Sequence, residues 1–296
     1  MSLFRRGFFF ILVNIAVIAT ISIVINLLGI RPYLSQNGID YTSLLVFCSI
    51  WGFGGAFISL FLSKWIAKKS MGVHLISPTQ ANGYEKNLLD MVYKIAAMNG
   101  MRKMPEVGVY ESPEVNAFAT GASKNSSLVA VSTGLLNKMD EKEVEGVLAH
   151  EVAHIVNGDM VTMTLLQGVI NSFVMFLSRA IAFGISRGDD DERSPFLEFG
   201  LVIVLDILFS ILGSVVLNFF SRWREYRADA GAARSVGKDK MIAALKRLQN
   251  NVDLVDQRDK AFASMKISGG RPSLAALFST HPSLEDRIKR LEMGLR

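Results

Sequence analysis

The sequence predicts a mainly α-helical membrane protein with a small β-sheet. Three observations carry this. Apolar residues are bunched into long, nearly uncharged runs rather than spread along the chain at one spacing. The stretches between the runs have soluble character, and one of them holds three short apolar segments that read as strands. Beside the third oily run lies VLAHEVAHIVNGD, Val147 to Asp159, whose two histidines stand four residues apart at helical spacing.

Composition agrees. Of the 296 residues, 50% are hydrophobic and 20% charged, and the mean hydropathy of +0.31 is high for a water-soluble globule. The net charge of +5 fits Lys and Arg held on the cytoplasmic side of a membrane. There is no RNA-binding signature and no Cys/His finger spacing, so nucleic acid is not an expected partner. The single cysteine, Cys48, excludes an intramolecular disulfide and leaves any metal to His and carboxylate ligands.

Taken in order, Arg5 and Arg6 precede an uncharged run from Gly7 to Ile30, about the length needed to span a bilayer. A signal peptide would have a shorter apolar core and a small-residue cleavage site, whereas this run ends GIRP, as an uncleaved anchor would. A second run extends from Ser43 to Ile66 and is flanked by Lys64, Lys68 and Lys69. The loop between carries only Arg31 and Asp40, which puts the N-terminus and the chain after residue 69 in the cytoplasm. Gly52 and Ala56 have the small-xxx-small spacing that could pack these two spans together.

Pro78 to Asn99 shows helical spacing at Leu88, Leu89, Val92, Ile95 and Ala96. EVGVY, NAFATG and LVAVS read as strands, the last two joined by the turn ASKNSS. Asp140 and Glu143 form a capping box that starts the helix carrying HEVAH, and Asn157-Gly158 stops it. A third oily run covers Val161 to Ile185 and a fourth Phe196 to Phe220. The net acidic SRGDDDERSP lies between them, and Arg222, Arg224 and Arg227 follow, so a spanning hairpin with both ends in the cytoplasm is expected. Arg179 and Asp206 sit inside these runs. Either they pair across the hairpin, or Arg179 snorkels while Asp206 faces the protein interior. DKMIAALKRLQNN then reads as a helix, Val252 to Pro272 as a loop, and SLEDRIKRLEM as a last helix with Leu284, Ile288 and Leu291 on one face. The expected organisation is an anchor over 1–69, catalytic segments over 70–160 and 221–296, and a membrane hairpin over 161–220.

The chemistry starts from HEVAH. On a helix His150 and His154 share a face and can reach one metal ion, and Glu151 projects from nearly the same side, where it can take a proton from water without being a ligand. A hydrolytic zinc site needs a third protein ligand. The remaining histidines are His74 and His281, and REYRADAGA offers a carboxylate, Glu225, with Asp229 one turn on as an acceptor for a ligating imidazole. In isolation EYRAD would read as a solvated charged face. A hairpin that leaves and re-enters the same side of the membrane brings Glu225 beside the motif.

HEVAH followed by EYRAD after an apolar hairpin, with two anchoring spans at the N-terminus, resembles the HtpX family of membrane zinc metalloproteases. The prenyl-protein (CAAX) endopeptidases are more distant relatives in this resemblance. NAFATG, VSTGLL and THPS fit the same pattern in the same order. The resemblance implies a zincin-like catalytic domain, four transmembrane helices and a gluzincin-type site, with Zn2+ on His150, His154 and Glu225 and with Glu151 as general base. It also implies a multi-pass protein of the bacterial inner (cytoplasmic) membrane, facing the cytoplasm, that degrades damaged or misassembled membrane proteins. His281 is the expected oxyanion donor, Tyr226 a weaker one, and Asn116, Ala117 and Phe118 an edge to which a polypeptide substrate adds. His74 is expected to be a surface residue. The polar flanks MDEKEVEG and NGDM place the motif outside lipid, which disfavours cleavage within the bilayer, and too few ligands lie inside the spans for a metal transporter.

Overall fold

The computed structural model of the chain describes residues 23, 34–35, 38–81, 83–186, 195–258 and 281–294. The first expected span, Gly7 to Ile30, lies outside the described residues but for residue 23, as do most of the acidic loop and residues 259–280. In chain order the elements are β1 (Leu34–Ser35), β2 (Gly38–Ile39), α1 (Tyr41–Met71), β3 (His74–Leu75), α2 (Gly83–Met98), β4 (Glu106–Tyr110), β5 (Ala117–Ser123) and β6 (Ser126–Ser132). They continue with α3 (Thr133–Lys138), α4 (Glu141–Asn157), α5 (Asp159–Ile185), α6 (Pro195–Val236), α7 (Lys238–Arg258) and α8 (Leu284–Glu292). The fold is mainly helical with one four-stranded sheet, as the sequence predicts. Among the described residues three helices, α1, α5 and α6, are long and apolar enough to cross a membrane.

Contacts divide the chain into two units, one of Met1–Phe61 with Thr162–Leu217 and one of Leu62–Val161 with Asn218–Arg296. In the first, Asp40 caps α1 by accepting from the backbone N–H of Thr42 at 2.9 Å and of Ser43 at 3.2 Å. The small face at Gly52, expected to meet the first span, meets α5. A Cβ placed on Gly52 would come within 2.6 Å of the Ser172 nitrogen and 2.9 Å of the Gly168 oxygen. Arg179 and Asp206 do face each other across α5 and α6, Nη1 to Oδ2 at 3.8 Å, and Arg179 also donates to the Met175 carbonyl at 3.1 Å. Phe173, Phe199, Val204, Ile207 and Leu212 point outward and are exposed, the distribution expected of helices solvated by lipid.

The second unit is built on the sheet, ordered β3-β4-β6-β5. β4 and β6 run parallel and the other pairs antiparallel. Strand alternation sorts side chains to two faces. Val107, Val129 and Val131 join α2 (Leu88, Val92, Ile95), α4 (Leu148, Val152), α7 (Met241, Leu245) and α8 (Ile288, Leu291) in one core. On the other face Tyr110, Leu128 and Ala130 form a smaller cluster that Phe118 and Val73 cover. β5 and β6 reach further into their connection than expected, leaving Lys124 and Asn125 as the turn, with an irregular register between Gly121 and Ser123.

α4 carries the motif and is well defined at both ends. Its capping box is present: the Glu143 N–H donates to Asp140 Oδ1 and the Asp140 N–H to Glu143 Oε2, each at 2.9 Å, a device that stabilises a helix by about 1 kcal/mol. Gly158, at φ 71°, ends it in the left-handed conformation that glycine adopts without strain, and α5 starts at the next residue. α7 packs along α4 closely enough that a Cβ on Gly146 would meet the Lys240 carbonyl oxygen at 2.6 Å. Lys240 pairs with Glu145, and Arg247 Nε donates to Glu143 Oε2 at 3.0 Å, across the same interface. α6 does not stop with its apolar part. It runs unbroken through RWREYRADAGAARSV until Gly237, at φ 100°. α7 extends to Arg258, overriding the loop expected from Val252 onward for its first turns.

Candidate metal centre

Helical spacing on α4 puts His150 and His154 side by side. Their Nε2 atoms are 3.1 Å apart and their rings meet edge to face, with centroids 4.6 Å apart. The soluble end of α6 lays Glu225 against both. Glu225 Oε2 is 3.4 Å from His150 Nε2, and Oε1 is 3.4 Å from His154 Nε2. These three residues offer one ligand atom each, all within 4.8 Å of one another, a grouping that can hold a metal ion. Glu225 is 1% exposed. Small residues let the helices come this close: a Cβ on Gly231 of α6 would lie 3.0 Å from the Ala153 Cβ.

Around the three stands a ring of carboxylates. Each histidine donates its Nδ1–H to one of them, His150 to Asp229 Oδ1 at 2.9 Å and His154 to Asp159 Oδ2 at 2.7 Å. In a neutral ring this donation leaves Nε2, the nitrogen turned toward Glu225, with the lone pair. Asp229 sits one turn after Glu225, as the sequence suggests. It is also held by Arg287 from α8, whose Nε donates to Oδ2 at 2.8 Å and Nη2 to Oδ1 at 2.6 Å. Arg287 Nη1 lies 3.6 Å from Glu225 Oε2, so one buried guanidinium serves two carboxylates.

Charge states follow from this crowding. Burial would lower the pKa of His154, but its hydrogen bonds to Asp159 and Glu225, with the Glu151 charge nearby, raise it to about 9 when only protons compete for the ring. Burial pushes the Glu225 carboxyl up, and contacts with His150, His154 and His281 outweigh that and hold it far below the usual carboxylate range. For Asp229 burial again opposes ionisation, and Arg287 followed by His150 prevails and lowers its pKa. Burial likewise works against the charged form of Arg287, and the hydrogen bonds to Asp229 raise its pKa. Both buried carboxylates, Glu225 and Asp229, are therefore held in the charged form.

A cleft of about 190 Å³ opens onto this cluster. Glu151, His281, Asn116 and Ala117 line it together with His150 and Glu225. Arg287 and an apolar wall with Leu135, Val147, Met241, Leu245 and Leu248 complete the lining. Glu151 is half-buried. His281 is largely exposed, and its Nδ1 lies 3.1 Å from Glu225 Oε2. Asn116 is fixed by Ser132, which accepts its backbone N–H at 3.1 Å and donates to the Glu114 carbonyl at 2.6 Å. The Phe118 side chain goes to the opposite face of the sheet, its ring 5.7 Å from that of Tyr110. The Tyr226 ring is covered by the Arg290 guanidinium at 4.1 Å. His74 is exposed on β3 and lines a larger cavity with Tyr84 and Glu111, apart from the cluster. Sequence reasoning did not find Asp159 or Arg287. The signal for Arg287 was there: it falls with Leu284, Ile288 and Leu291 at the i, i+3, i+4, i+7 positions of one stripe.

Comparison with known proteins places these features. A sequence model described as Peptidase family M48 matches residues 83–294. The "Protease HtpX homolog" of Bacillus licheniformis is 54% identical over 295 residues, covering 97% of this chain and 99% of its own. "Protease HtpX" of Idiomarina loihiensis is 49% identical over 292 residues with the same coverage. Among solved structures, S. mikatae Ste24p is similar in fold, with TM-score 0.62 at 18% identity, covering 97% of this chain and 66% of that one.

Proposed function

The chain belongs to peptidase family M48, as an HtpX-type membrane metallopeptidase, and from that premise we propose that it is a zinc-dependent endopeptidase with Glu151 as general base. The observation that carries this is the convergence of His150, His154 and Glu225 on one point beside a cleft that Glu151 also lines. Two imidazole nitrogens and one carboxylate oxygen, without thiolate, are a donor set that fits zinc, and three donors leave a position open. When bound there, zinc supplies the Lewis acidity that polarises the scissile carbonyl and activates water near neutral pH.

The chain's own residues do the rest. Glu151 accepts the proton of the attacking water and returns it to the leaving amine. Asp229 keeps His150 in the tautomer that presents Nε2. His281, at the exposed mouth of the cleft, donates to the oxyanion that develops on the carbonyl oxygen. Asn116 and Ala117, at the start of the edge strand β5, take the substrate backbone by strand addition. Phe118 contributes its main chain alone, because its ring packs with Tyr110. The apolar wall of Leu135, Val147, Met241, Leu245 and Leu248 takes an apolar side chain of the substrate.

Its substrates are polypeptides, and we read them as chiefly damaged or misassembled membrane proteins of a bacterial inner membrane, cut on the cytoplasmic side. The long apolar helices and the distribution of Lys and Arg around the spans support this. Metal removal tests the reading. Full-length protein in detergent should stop cleaving unfolded polypeptide when a chelator strips the metal, and zinc at stoichiometric concentration should restore the cleavage. Hydrolysis that survives complete metal removal would overturn it.

A further inference from the structure

His154 and His150 are not held alike. Asp229, the partner of His150, shares its charge with the Arg287 guanidinium. Asp159, the partner of His154, pairs with that histidine alone among the described residues, with Oδ2 2.7 Å from Nδ1 and its side chain 4% exposed. A buried carboxylate with one imidazole partner is costly unless the bond it makes is strong.

Its position is also made, not given by helix geometry. Residue 159 is five places after residue 154. In an unbroken helix that offset puts two side chains on different faces. Here the left-handed Gly158, at φ 71°, breaks the chain between α4 and α5. Asp159, the first residue of α5, is turned back onto the last turn of α4, where His154 lies.

We propose that Asp159 is a positioning residue, whose unshared carboxylate fixes the tautomer and ring orientation of His154 so that Nε2 faces the metal. It accepts the Nδ1–H and leaves the lone pair of Nε2 directed at the point that His150 and Glu225 also face. Because no cation among the described residues draws its charge away, it strengthens His154 as a donor more than Asp229 strengthens His150. This rests on the reading of His154 as a metal ligand.

The test is the zinc affinity of the full-length protein in detergent, measured by competition with a chromophoric chelator, for wild type, Asp159→Ala and Asp159→Asn. Asp159→Ala should bind zinc about 10- to 100-fold more weakly. Asp159→Asn keeps a carbonyl acceptor for Nδ1–H without the charge and should fall between Asp159→Ala and wild type. The unfolding midpoint of each metal-free protein separates this from a role in starting α5, where an acidic residue also favours the helix N-terminus. A lowered midpoint with zinc affinity unchanged in both variants would overturn the inference. If Asp159→Ala does not fold, Asp159→Asn decides it: weakened zinc binding supports the role and wild-type binding removes it. A wild-type protein that binds no zinc would instead overturn the zinc reading itself.

Discussion

At the residue scale, the buried carboxylates of the site depend on one arginine. Asp229 is 2% exposed and Glu225 1%, and ions so placed are strongly unfavourable without a partner. Arg287 reaches Asp229 with both ends of its fork. Arg287→Ala should therefore destabilise the protein by about 3–5 kcal/mol, because it leaves a buried charge unpaired. Adding Asp229→Asn should recover part of that loss, and Arg287→Lys should do worse than wild type because a single ammonium cannot match the fork. Chemical unfolding of the metal-free variants checks this. If Arg287→Ala is no less stable than wild type, Asp229 is not held as described. His150, Glu151 and His154 were legible because HEVAH sets their spacing on one helix, and Glu225 only through the topology that returns the chain to the motif. Arg287 was not, because SLEDRIKRLEM is dense in charge and an arginine there reads as solvated. Asp159 was hidden by the Asn-Gly that precedes it, which marks a helix end but not the direction in which the chain returns.

At the element scale, α4 is held by what is absent from its surface. Gly146 and Gly231 lie at its contacts with α7 and α6, where a methyl group would already be crowded. Gly146→Val should drive α7 away from α4 and cost about 1–3 kcal/mol, the usual price of overpacking. The unfolding midpoint should fall, whereas a variant at wild-type stability would show that α7 does not pack there. Element boundaries were less legible than elements. The capping box fixed the start of α4, and alternation fixed β4 and β6. The fourth oily run ends at Phe220, yet the helix meets neither proline nor a left-handed glycine until Gly237. Hydropathy reports the solvent around a helix, and helix length depends on local propensity, so the two need not end together. The same holds for α7, whose polar extension past Val252 looked like a loop but keeps its hydrogen-bonded turns to Arg258.

At the scale of the whole molecule, two apolar helices separate the motif from Glu225 by about seventy residues of sequence. That separation is why EYRAD looks like surface until the topology is considered. The second, third and fourth oily runs are helices able to cross a membrane, and the first lies outside the described residues. The Gly52 contact with Ser172 was not legible, because small-residue spacing names a face but not its partner. The central proposal is that Glu151 moves the proton for a metal held by its neighbours. The most direct measurement is casein hydrolysis by detergent-purified, zinc-loaded protein, comparing wild type with Glu151→Gln and measuring bound zinc in both. The expected result is equal zinc content with cleavage by wild type and a loss of at least 10²-fold in the variant, the usual contribution of a general base. Equal cleavage by the two proteins would contradict the claim.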